Sequence, residues 1–328
     1  MKKLLTTVMA VIAVTTIQAQ GPNNSGTYYK NADGKKGQAL KTALYQIISP
    51  HTDIGYDGLY DAYVTTDSRA DGSVRDWYSK TTHYTHFADK AGSYKKEGDC
   101  YNREHIVPQS WFGSGKPKSD LHHVVPTDGF VNNARGNHPL GEVGSADYTS
   151  NGGYCKRGSC KTPGYTGTVF EPNDEVKGDI ARIYFYMATC YENLVSNWDG
   201  ATAEIVFAGN KYPAMKQWAL DMFLRWSEND PVNDVDTNRN NAAAVIQGNR
   251  NPFVDYPGLE QYIWGTKKDQ AFSYDHYDEG EIVDGIMEAP RYEVRDTRCE
   301  NTYNLAGQKV GADYKGIVVV NGKKVIKK

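Results

Sequence analysis

Residues 100–113 read CYNREHIVPQSWFG and residues 120–137 read DLHHVVPTDGFVNNARGN, and the reading of these two stretches decides the fold. EHIVPQSWF and DLHHVVPT are short apolar runs interrupted by proline, too brief for helices, and they predict two short extended segments. Asp128 then precedes GFVNNAR, the pattern of a side-chain cap, so a helix is predicted to begin near Asp128. The pair Glu104-His105 lies in the first segment. Neighbours in an extended chain point to opposite faces, whereas at a strand end or turn they can converge on one site.

A carboxylate beside an imidazole suits a metal-and-base pair. The Glu104 carboxylate and an amide oxygen such as that of Asn132 are hard ligands suited to Mg²⁺ or Ca²⁺, and a neutral His105 can take a proton from water. Phosphodiester hydrolysis needs a base to generate the nucleophile and a cation to neutralise the phosphate and the leaving oxygen. Each residue also has a plainer use. His122-His123 suits one buried and one exposed histidine. Asn132, Asn133 and Asn137 suit helix caps and turns, and Arg135 and Arg182 suit structural ion pairs.

On either side of this core the periodicity is mostly helical. GKKGQALKTALYQIIS repeats apolar residues at Ala39, Leu40, Ala43, Leu44, Ile47 and Ile48, and predicts a surface helix with a core face. EVKGDIARIYFYMATCYENLV repeats at three and four through Ile180, Ile183, Tyr184 and Met187 and predicts a core helix. KQWALDMFLRWSEND predicts another, stopped at Asp230-Pro231, and a further one is expected from Val235 to Gln247. Residues 51–99, with GLYDAYVTT and SVRDWYS, suit strands or irregular loops. The expected class is α+β, a helix-rich body followed by a small β module.

The ends read differently. MKKLLTTVMAVIAVTTIQAQ has two lysines, an apolar stretch and small residues before Ala19, the pattern of an export leader at 1–19. Thr6, Thr7, Thr15 and Thr16 interrupt the roughly 20 apolar residues that an anchor needs, and no membrane span is expected. A catalytic domain is expected over 20–268 and a solvated acidic linker over 269–290. Valine-rich strands between Gly and Asn turns make up 291–328. The formal charge of −3 hides a division, with residues 20–290 at −10 and residues 291–328 at +5. That acidic body counts against bulk attraction for a polyphosphate, but not against a local basic groove working with a cation.

The five cysteines predict disulfides in an exported chain. Cys155 and Cys160 flank KRGS in a Gly-rich stretch and are the first expected bridge. Cys100 and Cys190 are the second candidate pair, and Cys299 is left over. Paired CxxC or CxxH spacing for zinc is absent.

YNREHIVPQSWFG, DLHHVVPTDGFVNNARGNHPLGEV, FEPNDEVKGDIARIYFYMAT and QGNRNPFVDYPGLEQYIWG together resemble the endonuclease I family of extracellular nucleases, members of the ββα-metal or His-Me finger group. The likeness runs from about Gly37 to Gly265. It implies a metal-dependent endonuclease acting on DNA, and also on RNA, with His105 as general base and Glu104 and Asn132 as ligands of Mg²⁺, or of Ca²⁺ or Mn²⁺. Products with a 5′-phosphate and a 3′-hydroxyl would follow. Some relatives carry an arginine for the scissile phosphate in a longer insertion between the finger strands. The connection here is SGKPKS, so Lys116, Lys118 or Arg135 is expected to supply that charge. NLAGQKV and KGIVVVNGKKVIKK resemble the sorting tail of the type IX secretion route, which implies secretion machinery as a partner and a secreted or cell-surface monomer.

Two other readings are open at this level. One is a zinc hydrolase using His105, His122 and His123, although no HExxH pattern is present. The other is a non-catalytic cell-surface binding protein, suggested by the 24 tyrosines and the acidic body.

Overall fold

The computed structural model describes residues 20–200 and 202–277, together with the strands at 302–304, 316–320 and 323–327. The export leader, Cys299 and most of the acidic linker lie outside the described residues. The chain divides into two units, Met1–Asp278 and Glu279–Lys328.

In the first unit, Leu40, Ala43, Leu44 and Ile48 form the buried stripe of α1 (Gly37–Ile48), as the spacing predicts. GLYDAYVTT is α2 (Gly58–Thr66) rather than a strand or loop. Its buried residues, Leu59, Tyr60, Ala62, Tyr63 and Thr66, follow a three-and-four spacing that a nine-residue window rich in Thr and Tyr obscures. SVRDWYS is irregular, with Val74 held to Ser68 by one isolated bridge.

Next come β1 (Tyr101–His105), the single turn α3 (Gln109–Phe112), β2 (Val124–Asp128) and α4 (Gly129–Arg135). β1 and β2 are antiparallel, with Glu104 opposite Val125 and His105 opposite Val124. Asp128 caps α4 as expected, its Oδ1 accepting from Val131 N at 2.9 Å. Gly136 ends the helix at φ +55°, a left-handed position suited to glycine. The result is the expected ββα finger.

A second sheet that the sequence did not announce follows the finger: β3 (Val143–Thr149), β4 (Lys156–Cys160) and β5 (Thr168–Glu171), antiparallel in that order. It overturns the Cys155–Cys160 bridge. These residues flank an extended strand, so their Cα atoms are about 16 Å apart, well beyond the roughly 7 Å that a disulfide spans. Cys100, Cys155, Cys160 and Cys190 are all free thiols, which removes the Cys100–Cys190 pair as well.

α5 (Lys177–Cys190) is buried on every side, and its charged residues Asp179 and Arg182 pair with each other at 2.6 Å. It packs against α7 (Gln217–Asn229), which follows the short α6 (Ala203–Val206) and stops where Asp230-Pro231 predicted. α8 (Asp234–Gln247) begins with a capping box at Asn233 and Asp236. Phe272 and Tyr274 are buried in the same core, so residues expected in the solvated linker still belong to this unit. The second unit is an antiparallel sheet of β6 (Thr302–Asn304), β7 (Gly316–Val320) and β8 (Lys323–Lys327). The molecule is α+β.

Candidate functional site

The finger makes β1 a strand with two different faces, because successive side chains alternate. Asn102 and Glu104 face α4. Asn132 Nδ2 donates to Asn102 Oδ1 at 2.7 Å, and Arg135, one helical turn on, donates from Nη1 to Glu104 Oε1 at 2.6 Å. The capped helix therefore brings Asn132 to the same face of the strand as Glu104, while Asn133 is exposed.

Glu104 is 3% exposed. Both of its described side-chain bonds end on Oε1, from Arg135 and from Tyr78 Oη at 2.9 Å. Burial raises its pKa, and the Arg135 charge offsets part of that rise. Arg135 is 1% exposed and also donates to the carbonyls of His105 (2.8 Å) and Ile106 (2.6 Å). The expectation that Arg135 holds substrate phosphate is thus corrected. It is a buried strut that fixes the strand end and one carboxylate oxygen, the structural use its residue type also allowed.

His105, the last residue of β1, lies on the other face with Arg103. Its Nε2 meets the Lys118 carbonyl at 3.1 Å. A carbonyl only accepts, so Nε2 carries the proton and Nδ1 keeps its lone pair. The ring stacks on Tyr56 (centroids 5.6 Å apart, planes at 19°) and packs against Phe112 and His123. Burial, together with the charges of Arg135, Lys118 and Arg103, lowers its pKa to about 4, and the bond to Lys118 only partly opposes this. The imidazole is neutral at physiological pH and ready to accept a proton.

The lysines divide. Lys118 places its carbonyl on His105 and its ammonium 4.9 Å from the Tyr56 ring centre. Lys116 turns away, donating to the His51 carbonyl at 2.7 Å. His122 and His123 are both buried, against the expectation of one exposed ring. His122 Nε2 meets the Asn249 carbonyl at 3.0 Å, whereas His123 Nδ1 accepts from Val107 N at 3.3 Å. His122 and His123 are committed to different neighbours, and among the described residues the three rings of His105, His122 and His123 do not form one ligand cluster.

The cluster that does gather His, Asp and Cys is His51, Asp120 and Cys190, all buried. Asp120 Oδ2 already accepts from Tyr186 (2.8 Å) and Tyr191 (2.6 Å), and Oδ1 from His122 N and Gln247 Nε2. A carboxylate with four donors is a structural hub.

Tyr56, Tyr78, Asn102 and Arg103 were not anticipated at the site. Tyr56 and Tyr78 come from the irregular 51–99 region, where no periodicity points to the finger. Asn102 and Arg103 were in plain view, two residues before Glu104 and His105, and strand alternation would have found them.

Residues 36–258 match the endonuclease I family. The chain belongs to that family. An extracellular ribonuclease of Bacillus amyloliquefaciens is 37% identical over 243 residues, covering 73% of this chain and 78% of the relative. The extracellular ribonuclease of Bacillus subtilis (strain 168) is 36% identical over 247 residues, covering 74% and 79%. An Endonuclease-1 of Buchnera aphidicola subsp. Baizongia pistaciae is 29% identical over 183 residues, covering 49% and 64%. This chain is accordingly an endonuclease, and the non-catalytic binding reading falls away. No helix among the described residues is long and apolar enough to cross a membrane.

Proposed function

We propose that this endonuclease acts outside the cytoplasm on the phosphodiester bonds of DNA and RNA with little sequence preference, His105 serving as general base and Glu104 and Asn132 as ligands of Mg²⁺, with Ca²⁺ or Mn²⁺ as substitutes. One observation carries this reading. The bond from His105 Nε2 to the Lys118 carbonyl leaves a neutral ring with Nδ1 free, at the end of the strand that also presents Glu104.

The donor set suits a hard cation. Glu104 Oε1 and Asn132 Nδ2 are each taken by a fixed side chain, the His105 backbone also supports the carboxylate, and among the described residues Glu104 Oε2 and Asn132 Oδ1 receive no side-chain donor. Two oxygens from one strand–helix face suit an ion that keeps most of its waters. When bound, the cation neutralises charge on the phosphate and on the leaving 3′ oxygen.

The remaining work falls to the chain's own groups. His105 Nδ1 holds the attacking water and takes its proton as the water approaches phosphorus opposite the 3′ oxygen. The Lys118 carbonyl keeps the tautomer and steadies the imidazolium that forms. Arg135 and Tyr78 stop Glu104 from rotating. Water is the nucleophile, so the sugar 2′-hydroxyl has no part and both nucleic acids qualify. The similarity to two extracellular ribonucleases supports RNA as a substrate and supports export. Contacts made to the backbone imply weak sequence preference.

The same reading keeps 291–328 as a sorting tail, tested by whether a chain ending at residue 290 still leaves the cell. The catalytic reading is tested with supercoiled plasmid and single-stranded RNA, each with Mg²⁺ or with EDTA, beside His105→Ala. Cleavage of both by the wild type with Mg²⁺, abolished by EDTA and by the substitution, is expected. An active His105→Ala enzyme would show that the base lies elsewhere.

A further inference from the structure

Arg135 is buried and Lys116 turns away, which leaves Lys118, a point charge without a fork, as the one cation foreseen that still reaches this site, and we infer that Arg103 is the group that grips a non-bridging oxygen of the scissile phosphate, from a platform made by Tyr56. The inference rests on the catalytic reading of His105 above.

Arg103 sits two residues before His105 on the same face of β1. Its guanidinium carbon lies 3.5 Å from the Tyr56 ring centre and 4.4 Å from that of Tyr60. The same Tyr56 ring stacks on His105 and carries the Lys118 ammonium at 4.9 Å. One aromatic side chain thus holds the base and two cations together.

The hydrogen bonding of Arg103 is only partly spent. Nη1 donates to the Tyr56 carbonyl at 2.7 Å and to Asp57 Oδ1 at 3.1 Å. The carbonyl and the stacked rings fix the plane of the fork. The Asp57 carboxylate is fully exposed, so that ion pair is weakly held and easily exchanged. Among the described bonds Nη2 and Nε have no acceptor, and neither is a buried orphan. A planar fork, pre-oriented by a backbone carbonyl and stacked rings and otherwise satisfied only by a surface carboxylate, matches two oxygens of a phosphodiester. Asp57 is then a stand-in that the substrate displaces.

The experiment uses the full chain and two probes, a single-stranded oligonucleotide and bis(p-nitrophenyl) phosphate, whose single phosphodiester has no neighbouring phosphates. Arg103→Ala is expected to lower kcat/KM by about 10²- to 10³-fold on both probes, the loss falling mainly on kcat. Arg103→Lys should recover only a small part of this, because an ammonium lacks the fork. Added guanidinium ion, at concentrations that leave the wild type unaffected, should partly restore Arg103→Ala, a rescue that a merely structural role would not show. Asp57→Asn should leave kcat unchanged and lower KM.

A loss confined to the oligonucleotide would move Arg103 to a neighbouring phosphate and overturn the inference, as would full activity of Arg103→Ala. If Arg103→Ala fails to fold by circular dichroism, Arg103→Lys and the rescue of Arg103→Gly decide: full activity of Arg103→Lys, or no rescue, overturns it. Activity of His105→Ala equal to wild type would instead sink the underlying reading, so the two failures are distinguishable.

Discussion

Glu104 lies in β1 and Asp120 in the connection from β1 to β2, and both are buried carboxylates beside histidines. They differ in what their oxygens touch. Asp120 has donors on both oxygens: two tyrosine hydroxyls on one, a backbone N–H and the Gln247 amide on the other. Burial alone would raise its pKa, but His51, His122 and the donated hydrogen bonds outweigh burial and hold it below the usual carboxylate range. Glu104 has both of its side-chain donors on one oxygen, a further backbone bond from His105, and a pKa raised by burial. A carboxylate saturated with donors stabilises a fold, whereas one held by a single oxygen keeps the other for chemistry. Among the described residues His, Asp and Cys side chains gather around Asp120, yet the oxygens there are already saturated, unlike those of Glu104.

The comparison can be broken or sharpened in order of effect. His105→Ala should lower kcat by about 10²- to 10⁴-fold while leaving the urea midpoint nearly unchanged. A large drop in stability would assign His105 to the core instead. Glu104→Gln should raise the Mg²⁺ concentration for half-maximal activity at least about tenfold, and an unchanged metal titration would remove Glu104 from the ligand set. Asp120→Ala should do the reverse, costing about 3 kcal/mol or more through the donors left unsatisfied. Its folded fraction should keep wild-type metal dependence, and a shift in that dependence would make Asp120 part of the site.

A smaller effect is the acid limb of stability. The Asp120 pKa is lower in the folded than in the unfolded chain, so its contribution is complete above about pH 3.9 and is lost as pH falls through the folded value. Each unit of depression is worth about 1.4 kcal/mol. Asp120→Asn should flatten that limb in urea titrations between pH 5 and pH 2, whereas Glu104→Gln, whose parent pKa is raised, should not. The smallest effect concerns the thiols. Dithiothreitol should leave the Tm of the first unit unchanged within about 0.5 °C, because Cys155 precedes β4 and Cys160 is its last residue, and a clear drop would restore a disulfide.

Much of the finger was legible because its information is local. Alternation, proline placement and the Asp128 cap act within a few residues, so β1, β2 and α4 could be read from short strings, as could α1, α5, α7 and α8 from their three-and-four spacing. GLYDAYVTT failed as a helix prediction because Thr and Tyr have weak helix preference, and packing of the α2 face decided the matter. KRGS gives no strand signal of its own because the pairing that makes it β4 comes from β3 and β5, on either side of long turns.

By itself the sequence determined the class of fold and the finger, and it placed the proposed acid, base and amide on it, since these depend on residue type and spacing along one strand and one helix. Only the tertiary structure decided what each group is free to do. Arg135 and Arg103 look alike by residue type, two arginines in the two strings that make up the finger. The finger folds Arg135 under Glu104 and leaves Arg103 on Tyr56 with half its fork unspent. The physical reason is that burial and donor count belong to neighbours distant in sequence, and no local pattern contains them.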